Sequence, residues 1–577
     1  MARTLTNADV AATFELLADL LSIRGDSRFK VDAYRRAAEN IAQLPEALAA
    51  VRARNQLEQI PGVGKEIAQK IGDLFDTGTF DLLQEVEAQY PPSLAEVLRA
   101  PGIGPKKARA LYETLGVASL DDLRAALDAG RLSGLAGFGP TSIARLATAL
   151  RALETAEERM PLGVARRRGL ELLEQIRAGA PGLHAIELAG SIRRFRDTIG
   201  DIDISAAADD PEAVVEVFLT VPAVADIEMR GPNRGRVRLH SGVSADIWVL
   251  PPAHWGALLF HTTGSKYHNI HLRDLANDRG AHLNEYGLTT NGGLMPFASE
   301  AELYAAFDMQ FIPPPMREDN GEIELALRHE LPVVVEQRDL RGDLHMHSTW
   351  SDGTATIREM ALAAIERGYE YICITDHSGG LAIAHGLDAN RLRAQRRDID
   401  EVNAEMAPFR VLHGVETEVR ADGSLDLPDD ALAALDLVIA SVHSSLQQDR
   451  ERLTQRAVAA IRHPLVDILA HPTGRIVGGR SGGDFDVDAL FRAAAEAGTV
   501  LEINADPARL DLRDSHARAA LAAGCRLHIG SDAHSTAGLD NVFYGIGVAQ
   551  RAWAGPQHIL NTLPLDQLLA ALKRNRR

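Results

Sequence analysis

The sequence predicts a multidomain α/β protein in which helical N-terminal domains precede an α+β part and a C-terminal β/α barrel. Three observations predict this organisation. Glycine turns that open helices recur in the first 140 residues, paired aspartates follow a glycine turn near residue 200, and seven apolar runs after residue 341 each end in ligand-type residues, most of them His or a carboxylate. A chain of 577 residues has room for three to five domains.

Composition excludes several classes of protein. The hydrophobic fraction of 46% and the charged fraction of 24% are ordinary for a soluble globular protein. The net charge of −19 argues against a generally basic nucleic-acid coat, although it leaves room for local basic grooves. The two cysteines, Cys373 and Cys525, predict no disulfide framework and a reducing cytoplasm. No signal pattern starts the chain and no run approaches the roughly 20 apolar residues of a membrane helix, so we expect no membrane partner.

The N-terminal part is predicted to be helical, with residues 6–50 as helix and a small basic cluster that includes Lys30. Two glycine turns about forty residues apart each open a helix, and a weaker third copy spans residues 136–140. Backbone N–H groups at such a helix N-terminus, with the following lysine, bind a phosphate without reading a base. The alternative is a set of ordinary connecting turns. The residues that we expect to bind the phosphates of DNA are Gly62, Gly64, Lys65, Gly102, Gly104 and Lys106.

Lys70 follows Lys65 by five residues within the first of these modules. A lysine beside other cations can have a lowered pKa and attack a sugar aldehyde as a Schiff-base nucleophile. Taken alone, the residue is equally a candidate for an ordinary surface lysine.

A Gly-Ser turn with a basic pair, Gly190 to Arg194, comes seven residues before Asp201 and Asp203. If the intervening isoleucine belongs to a strand, the two aspartates share its other face. Adjacent carboxylates repel each other unless a cation lies between them, and Mg²⁺ binds carboxylate and phosphate oxygens together. The residues expected at a phosphate here are Gly190, Ser191 and Arg194.

A third aspartate, Asp246, lies on the second strand of a predicted hairpin formed by residues 236–240 and 245–250. On a neighbouring strand it can complete a triad of the kind that supports nucleotidyl transfer with two metals. The alternative is a surface turn with a solvated aspartate pair.

Residues 261–269 contain a second Gly-Ser bend, at Gly264 and Ser265. The bend lets the backbone lie against a sugar. Lys266 can meet a triphosphate and Asn269 can hydrogen-bond a base edge. Arg273 follows at helical spacing, and we expect it to contact DNA.

Residues 1–315 resemble the family X DNA polymerases of the DNA polymerase beta type. The matching motifs occur in family order: two hairpin modules, the Gly-Ser-Arg-Arg turn, the Asp-x-Asp pair, a later strand aspartate and Thr-Gly-Ser-x-x-x-Asn. The resemblance implies that Lys70 is a lyase nucleophile, with Lys30 and Lys65 at a 5′-phosphate. It implies catalytic metal ligands and nucleotide contacts at Asp201, Asp203, Asp246, Ser191, Arg194, Gly264, Ser265 and Asn269.

One departure from the family concerns sugar discrimination. Where the family has Tyr-Phe before Thr-Gly-Ser, this chain has His261 and Thr262. The preference for deoxynucleotides that is usually assigned to that aromatic pair is therefore not predicted for this chain.

Ligand-type residues end the seven apolar runs after residue 341, and helical stretches separate most of the runs. Repetition of strand, ligand and helix is typical of a β/α barrel whose loops at strand ends build one site. His and carboxylate together suit Zn²⁺, Mn²⁺ or Fe. Isolated core or surface histidines are the alternative, which fits His463, His516 and His558 because they are off the pattern.

This C-terminal segment resembles the polymerase and histidinol phosphatase (PHP) domain, a distorted seven-stranded barrel with a trinuclear metal site. All nine ligands that the resemblance implies are present, so we expect an active metallophosphoesterase. They are His345, His347, Asp352, His377, Glu416, His443, His471, Asp532 and His534.

The whole chain is thus expected to be a DNA polymerase that fills short gaps in base-excision or end repair, with 3′–5′ exonuclease and abasic-site endonuclease activity in the PHP domain. Expected cofactors are two Mg²⁺ or Mn²⁺ ions at the aspartate triad and three Zn²⁺, Mn²⁺ or Fe ions in the barrel. Expected partners are gapped or nicked DNA and deoxynucleoside triphosphates, and we expect a monomer. The expected domains are a helical lyase-like domain (1–90), fingers (91–157), a nucleotidyltransferase palm of the α+β class (158–255), a thumb (256–315), a linker (316–340) and the PHP domain (341–577).

Two alternatives stay open at this point. In one, the polymerase is accompanied by a barrel that hydrolyses a small phosphate, such as pyrophosphate or a phosphomonoester, or that is only structural. In the other, the chain is a non-catalytic repair scaffold in which the hairpins bind DNA and the metal sites hold the fold.

Overall fold

The computed structural model divides the chain into two units, residues 1–158 with 240–243 and residues 159–239 with 244–577. It confirms a multidomain α/β protein with helical, α+β and barrel parts. In the described residues, no helix is long and apolar enough to cross a membrane. The described residues are 5, 7–42, 44, 48–98, 100, 103–135, 137–139, 142–143, 146–147, 150, 159–380, 384–480 and 482–575.

The first unit packs helices around an apolar core. Phe14 lies at its centre, with its ring stacked on those of Tyr34 and Phe80 at centroid distances of 6.0 and 5.6 Å. The helices are α1 (Asn7–Arg24), α2 (Arg28–Ala42), α3 (Leu48–Ala53), α4 (Lys65–Thr77), α5 (Asp81–Gln89), α6 (Leu94–Val97), α7 (Pro105–Leu115) and α8 (Leu120–Asp128).

The prediction that residues 6–50 are helical is confirmed by α1, α2 and α3, but the helix is interrupted, because the chain turns at Gly25. This residue has a φ of +94°, a conformation that glycine adopts without a Cβ penalty. Its N–H donates to Leu21 O at 3.0 Å, which closes the end of α1. The next helix then starts at Arg28.

Each of the three glycine turns contains the same kind of backbone hydrogen bond. The N–H groups of Val63, Ile103 and Phe138 each donate to the carbonyl three residues earlier, at 2.9, 3.0 and 3.1 Å. Gly64 and Gly104 immediately precede α4 and α7. The three predicted copies therefore have the same local geometry where the structure describes them, and Gly102 lies outside the described residues.

The expected palm is a five-stranded sheet, in which the neighbouring strands are, in order, β2 (Leu183–Leu188), β4 (Ile202–Ala208), β7 (Ser244–Leu250), β6 (Arg234–Leu239) and β5 (Val224–Arg230). Strands β4 and β7 are parallel and the other neighbours are antiparallel. The predicted hairpin is the β6–β7 pair. Central strands β4 and β7 thus carry the aspartates next to each other. The elements are β1 (Met160–Pro161), α9 (Leu162–Gly179), β2 (Leu183–Leu188), α10 (Gly190–Arg193), β3 (Thr198–Ile199), β4 (Ile202–Ala208), α11 (Pro211–Thr220), β5 (Val224–Arg230), β6 (Arg234–Leu239) and β7 (Ser244–Leu250).

The expected thumb has its own core and a three-stranded antiparallel sheet. The segment expected as a linker is not an extended connector, because Arg317, Glu318 and Glu322 are buried. Ion pairs with the thumb and the palm hold it, as Arg317 pairs with Glu300 of the thumb and Glu318 with Arg194 of the palm. The elements are α12 (Trp255–Thr263), α13 (Lys266–Asp278), β8 (His282–Asn284), β9 (Gly287–Thr290), β10 (Gly293–Met295), α14 (Glu300–Ala306) and α15 (Glu322–Leu327).

The C-terminal part is the predicted barrel, with seven parallel strands in chain order. A further bridge from Met346 to Ala533 brings the first run against the last, so the sheet is nearly closed. Its elements are β11 (Gly342–Asp343), α16 (Ile357–Glu366), β12 (Tyr371–Ile374), α17 (Ala389–Met406), β13 (Arg410–Glu418), α18 (Asp429–Ala433), β14 (Leu437–Ser441), α19 (Arg450–Arg462), β15 (Ile468–Leu469), α20 (Val487–Ala497), β16 (Val500–Asn504), α21 (Asp514–Ala522), β17 (Leu527–Gly530), α22 (Val542–Arg551) and α23 (Leu565–Ala571).

Two candidate metal centres

The three palm aspartates come together as the sequence predicts. Asp203 on β4 lies opposite Asp246 on β7 in the parallel register, and Asp201 immediately precedes β4. One carboxylate oxygen from each lies within 4.8 Å of the others. The alternating side chains of Ile202 and Ile204 are buried, which turns the aspartates to the open face.

Gly190 makes room for this cluster. Its φ is +53°, and a Cβ there would lie 1.8 Å from Asp203 Oδ2. The N–H of the preceding Ala189 donates to Asp203 O at 2.8 Å. The Gly-Ser turn is therefore fixed directly against the aspartate strand, and a side chain at position 190 would displace the carboxylate.

The charge of the cluster favours a bound cation. Burial, with the charges of Asp201 and Asp246, raises the pKa of Asp203 to about 7. Arg236 on β6 partly offsets this repulsion, with Nη1 3.0 Å from Asp246 Oδ2. Arg234 Nη2 lies 3.4 Å from the other oxygen of Asp246. Sequence reasoning missed both arginines, although their alternation along one strand places them on one face.

The two predicted nucleotide segments meet at Arg194. Its Nη1 donates to Thr263 O at 2.7 Å, and Thr263 precedes the Gly264–Ser265 bend. Ser265 caps α13, since its Oγ accepts the His268 N–H at 3.1 Å. The bend is thereby held beside the Gly-Ser-Arg-Arg turn, while Ser191 lies half-buried in that turn.

Asn269 faces the same bend. Its Nδ2 donates to His261 O at 2.7 Å, and its Oδ1 is buried without a hydrogen-bond partner among the residues that the structure describes. A Cβ at Gly264 would lie 2.2 Å from that oxygen, so this position also requires glycine. An unpartnered buried acceptor fits a role in binding a ligand.

The remaining predicted residues around the Gly264–Ser265 bend differ in exposure and in their polar contacts. Lys266 is exposed, and Arg273 Nη2 lies 3.4 Å from His261 Nδ1. Thr262 faces into the palm, with its hydroxyl 2.7 Å from Ser205 Oγ. The two residues that replace the family's aromatic pair are thus held by polar contacts.

In the helical unit, Lys70 Nζ lies 2.6 Å from Glu66 Oε1 and 5.9 Å from the centre of the Tyr34 ring. Its closest described partner is thus a carboxylate, where the sequence argument had placed other cations. Lys30 pairs with Asp26 at 3.1 Å, and Lys65 is exposed at the start of α4.

The nine predicted barrel ligands form one cluster at the carboxyl ends of the strands, in which six are buried, His443 and His534 are half-buried and Asp352 is exposed. Glu416 lies at its centre, 2.9 Å from His377 Nδ1 and 2.9 Å from His471 Nε2. Asp532 Oδ1 lies 3.1 Å from His347 Nε2. Three groups could each hold an ion, namely His347, Asp352, His377 and His534; His345, His347 and Asp532; and His377, Glu416 and His443.

The donor set fits divalent metals. His345 Nε2 is buried and lacks a hydrogen-bond partner in the described part of the chain, while Glu416 Oε2 lies 2.9 Å from His377 Nδ1. Burial, with the nearby charge of His377, lowers the pKa of His347 to about 3, so its ring is neutral and able to donate a lone pair. Burial alone would raise the pKa of Glu416, but the charges of His377, His443 and His345 hold it well below its usual range.

A second layer of carboxylates orients the ligands, and sequence reasoning missed it. Glu502 Oε1 lies 2.6 Å from His345 Nδ1, and Glu418 Oε2 lies 2.9 Å from His443 Nδ1. Such contacts fix which ring nitrogen faces the metal. Glu418 follows Glu416 by two residues, and this same-face spacing is the signal that could have identified it.

Family models match most parts of the chain. They are a helix-hairpin-helix domain over residues 5–80, a SAM-like helix-hairpin-helix tandem over 94–152, a DNA polymerase beta thumb over 258–318 and a PHP domain over 343–505.

Curated relatives fall into two groups. A protein of Bacillus subtilis (strain 168), named DNA polymerase/3′-5′ exonuclease PolX, is 39% identical over 573 residues, which cover 98% of this chain and 99% of the relative. A probable phosphatase of Thermoanaerobacter sp. (strain X514) is 32% identical over 38% of this chain and 89% of its own length. A probable phosphatase of Edwardsiella ictaluri is 31% identical over 38% of this chain and 90% of its own length.

Replacing Asp203 by Asn is expected to stabilise the chelator-treated protein at alkaline pH. The carboxyl pKa rises from 3.8 to about 7 on folding, so between these values the unfolded chain is ionised while the folded chain holds the proton. Wild-type stability therefore falls as pH rises through this window, and the variant lacks that loss. The gain at pH 8 should be on the order of a few kcal/mol in denaturant titrations with EDTA. The exposed Asp209→Asn is the control, and equal pH profiles for all three proteins would contradict the assignment.

Glu502→Gln is expected to weaken metal binding in the barrel. The amide keeps the side-chain shape but loses the charge that supports the His345 ring, and loss of such a contact costs roughly 10- to 100-fold in affinity. Competition between the protein and a coloured chelator for Mn²⁺ measures the effect. Glu496→Gln, on the exposed side of α20, is the matched control. Equal affinity in the two variants would show that Glu502 does not support the metal ligands.

Proposed function

This chain belongs to the PolX family of DNA polymerase/3′-5′ exonucleases, and we propose that it fills short gaps in DNA during base-excision or end repair. It is a DNA polymerase with a metal-dependent 3′–5′ exonuclease activity. The alternative of a non-catalytic repair scaffold is therefore excluded. The observation that most supports synthesis in the palm is the aspartate triad packed against the Gly-Ser-Arg-Arg turn.

In the palm, Asp201, Asp203 and Asp246 would hold two Mg²⁺ or Mn²⁺ ions. Bound divalent ions in either centre of this chain would neutralise phosphate charge and activate the attacking oxygen. Ser191 and Arg194 would bind the triphosphate, since a guanidinium matches phosphate geometry.

The second Gly-Ser bend would hold the sugar and base of the same nucleotide. Gly264 and Ser265 would lie against the sugar, Lys266 would meet the triphosphate, and Asn269 would turn from His261 O to the base edge. The buried, unpartnered Asn269 Oδ1 supports this last role. Arg273 would contact the DNA beside the bend.

In the barrel, the nine ligands would hold three ions, of Zn²⁺, Mn²⁺ or Fe, and present them to a phosphodiester at a DNA 3′ end. Release of terminal nucleotides, and incision at abasic sites, would occur there. Neutral His347 and ionised Glu416 are already in the protonation states that ligate a metal, which supports an active centre.

A second candidate function for the barrel is hydrolysis of a small phosphate. The observation that favours it is the relationship of this part of the chain to proteins named probable phosphatases, which cover the PHP segment alone. A panel that compares DNA ends with pyrophosphate and phosphomonoesters separates the two candidates.

The helical unit would bind the DNA ends. Its glycine turns present N–H groups to backbone phosphates, with Lys65 and Lys106 beside them. Lys30 would bind a 5′-phosphate, and Lys70 would act as the lyase nucleophile once a DNA phosphate displaces Glu66 from its ammonium group.

Paired substitutions should separate the two activities. On a 5′-labelled primer at a one-nucleotide gap with Mn²⁺, wild type should extend when nucleotides are present and shorten the primer when they are absent. Asp201→Ala with Asp203→Ala should abolish extension only, because those carboxylates belong to the palm. His345→Ala with His347→Ala should abolish shortening only.

The result that would refute separate centres is loss of both activities in either double variant. Extension without shortening by wild type would favour the small-phosphate candidate for the barrel.

Lys70→Ala should abolish trapping of the protein on DNA that carries a 5′-deoxyribose phosphate, after reduction with borohydride. The amine is the atom that forms the Schiff base, so gap filling on an intact 5′-phosphate should persist. Lys107→Ala is a control in the second hairpin module. Wild-type levels of the adduct in Lys70→Ala would exclude Lys70 as the nucleophile.

A further inference from the structure

The Gly-Ser-Arg-Arg turn of the palm packs against a helix of the barrel. Phe195, which follows Arg194, has its ring centre 4.9 Å from that of Phe543 on α22. A Cβ at Gly547, on the same helix, would lie 1.9 Å from Phe195 Cδ1, so the helix accommodates the ring because position 547 is glycine. The turn that carries Arg194 is therefore packed directly on a barrel helix.

Glu318 lies between an arginine of the palm and an arginine of the barrel. Its Oε1 accepts from Arg194 Nε at 3.1 Å and from Arg551 Nη1 at 2.7 Å. Arg551 Nη1 also donates to Arg194 O at 2.9 Å. The side chains of Glu318 and Arg551 are each 5% exposed. Two guanidinium groups thus share one buried carboxylate oxygen.

Arg551 is itself held in place by the barrel. Its Nε and Nη2 lie 2.7 and 2.6 Å from Asp514 Oδ2, at the start of α21. Burial alone would raise the pKa of Glu318, but the charges of Arg194 and Arg551 lower it to about 2. Glu318 is therefore ionised at neutral pH, and its charge must be balanced by the surrounding arginines.

We propose that Arg551 is a positioning residue for DNA synthesis, which keeps the Arg194 guanidinium available to the triphosphate by sharing Glu318. The inference rests on the nucleotide role proposed above for Arg194. Without Arg551, the carboxylate of Glu318 has Arg194 as its nearest cation, with Arg196 3.9 Å away. An incoming triphosphate must then compete with a buried carboxylate for one guanidinium. The barrel therefore contributes to synthesis as well as to nuclease activity.

Steady-state gap filling with full-length protein tests this role. Arg551→Met should raise KM for the deoxynucleoside triphosphate about tenfold, the scale of one charged hydrogen bond, and leave kcat within about twofold. Exonuclease activity should not change, because Arg551 is not a metal ligand. Arg551→Lys should restore part of the loss, since it keeps the charge but offers one point of contact.

The variant that tests competition by Glu318 most directly combines Arg551→Met with Glu318→Gln. It removes the competing carboxylate together with its barrel partner, so KM should return to within about twofold of wild type. The double variant leaves no unpaired carboxylate at position 318, and Asp514, which loses Arg551 in both variants, has a side chain that is 30% exposed. The double variant supplies the measurement if Arg551→Met alone fails to fold. A KM that stays raised in the double variant would overturn the proposal.

Arg475→Met is the matched control for damage to the interface. Arg475 Nη1 lies 3.0 Å from Asp197 Oδ2, so the variant breaks another palm–barrel ion pair without touching Glu318. Its KM should match wild type. An equal rise of KM in Arg475→Met and Arg551→Met would reduce Arg551 to a structural contact and overturn the proposal.

Arg194→Ala separates this inference from the function on which it rests. A raised KM in Arg194→Ala with an unchanged KM in Arg551→Met would overturn the positioning role alone. An unchanged KM in both variants would overturn the nucleotide role of Arg194, and the positioning role with it.

Discussion

Repulsion between carboxylates that lie side by side is the constraint on which the palm depends. Asp203 and Asp246 are brought together by the parallel pairing of β4 with β7. Gly190 leaves space for the Asp203 carboxylate, and Arg236 offsets part of the charge of the pair. The β4–β7 pairing, Gly190 and Arg236 together keep the carboxylates close to one another, where a bound cation would neutralise their repulsion.

The barrel meets a similar constraint with a mixed donor set. Histidine rings surround Glu416 and Asp532, so the buried carboxylates stay ionised while His347 and His471 stay neutral, with pKa values of about 3 and 4. Parallel strands suit this arrangement, because their carboxyl ends meet on one side and each can deliver one or two ligands. The short β15, of two residues, is sufficient since His471 needs only its strand end.

The sequence predicted which residues come together where they lie within one short segment. The Asp-x-Asp pair, the Gly-Ser bend and the strand-end histidines could be identified because spacing along the chain fixes their faces. Arg236 and Glu502 could not be identified in this way, because strand pairing alone brings each to its partner. The break at Gly25 was missed for a different reason, since helical periodicity continues on both sides of one glycine. The metal identities and the lyase role of Lys70 do not follow from spacing or strand pairing, because they depend on the chemistry of the bound ions and of the DNA end.

The two centres are connected through polar contacts of the same palm turn. Asp197, three residues after Arg194, pairs with Arg475, and Arg475 Nε also donates to the carbonyls of Arg509 and Leu510 at 3.0 and 3.1 Å. Arg509 Nε in turn lies 3.5 Å from Asp532 Oδ2 in the barrel cluster. A chain of packed polar contacts thus joins the palm turn to the barrel cluster. Burial of Glu318 and Glu322 shows that the segment expected as a linker is packed against its neighbours rather than exposed.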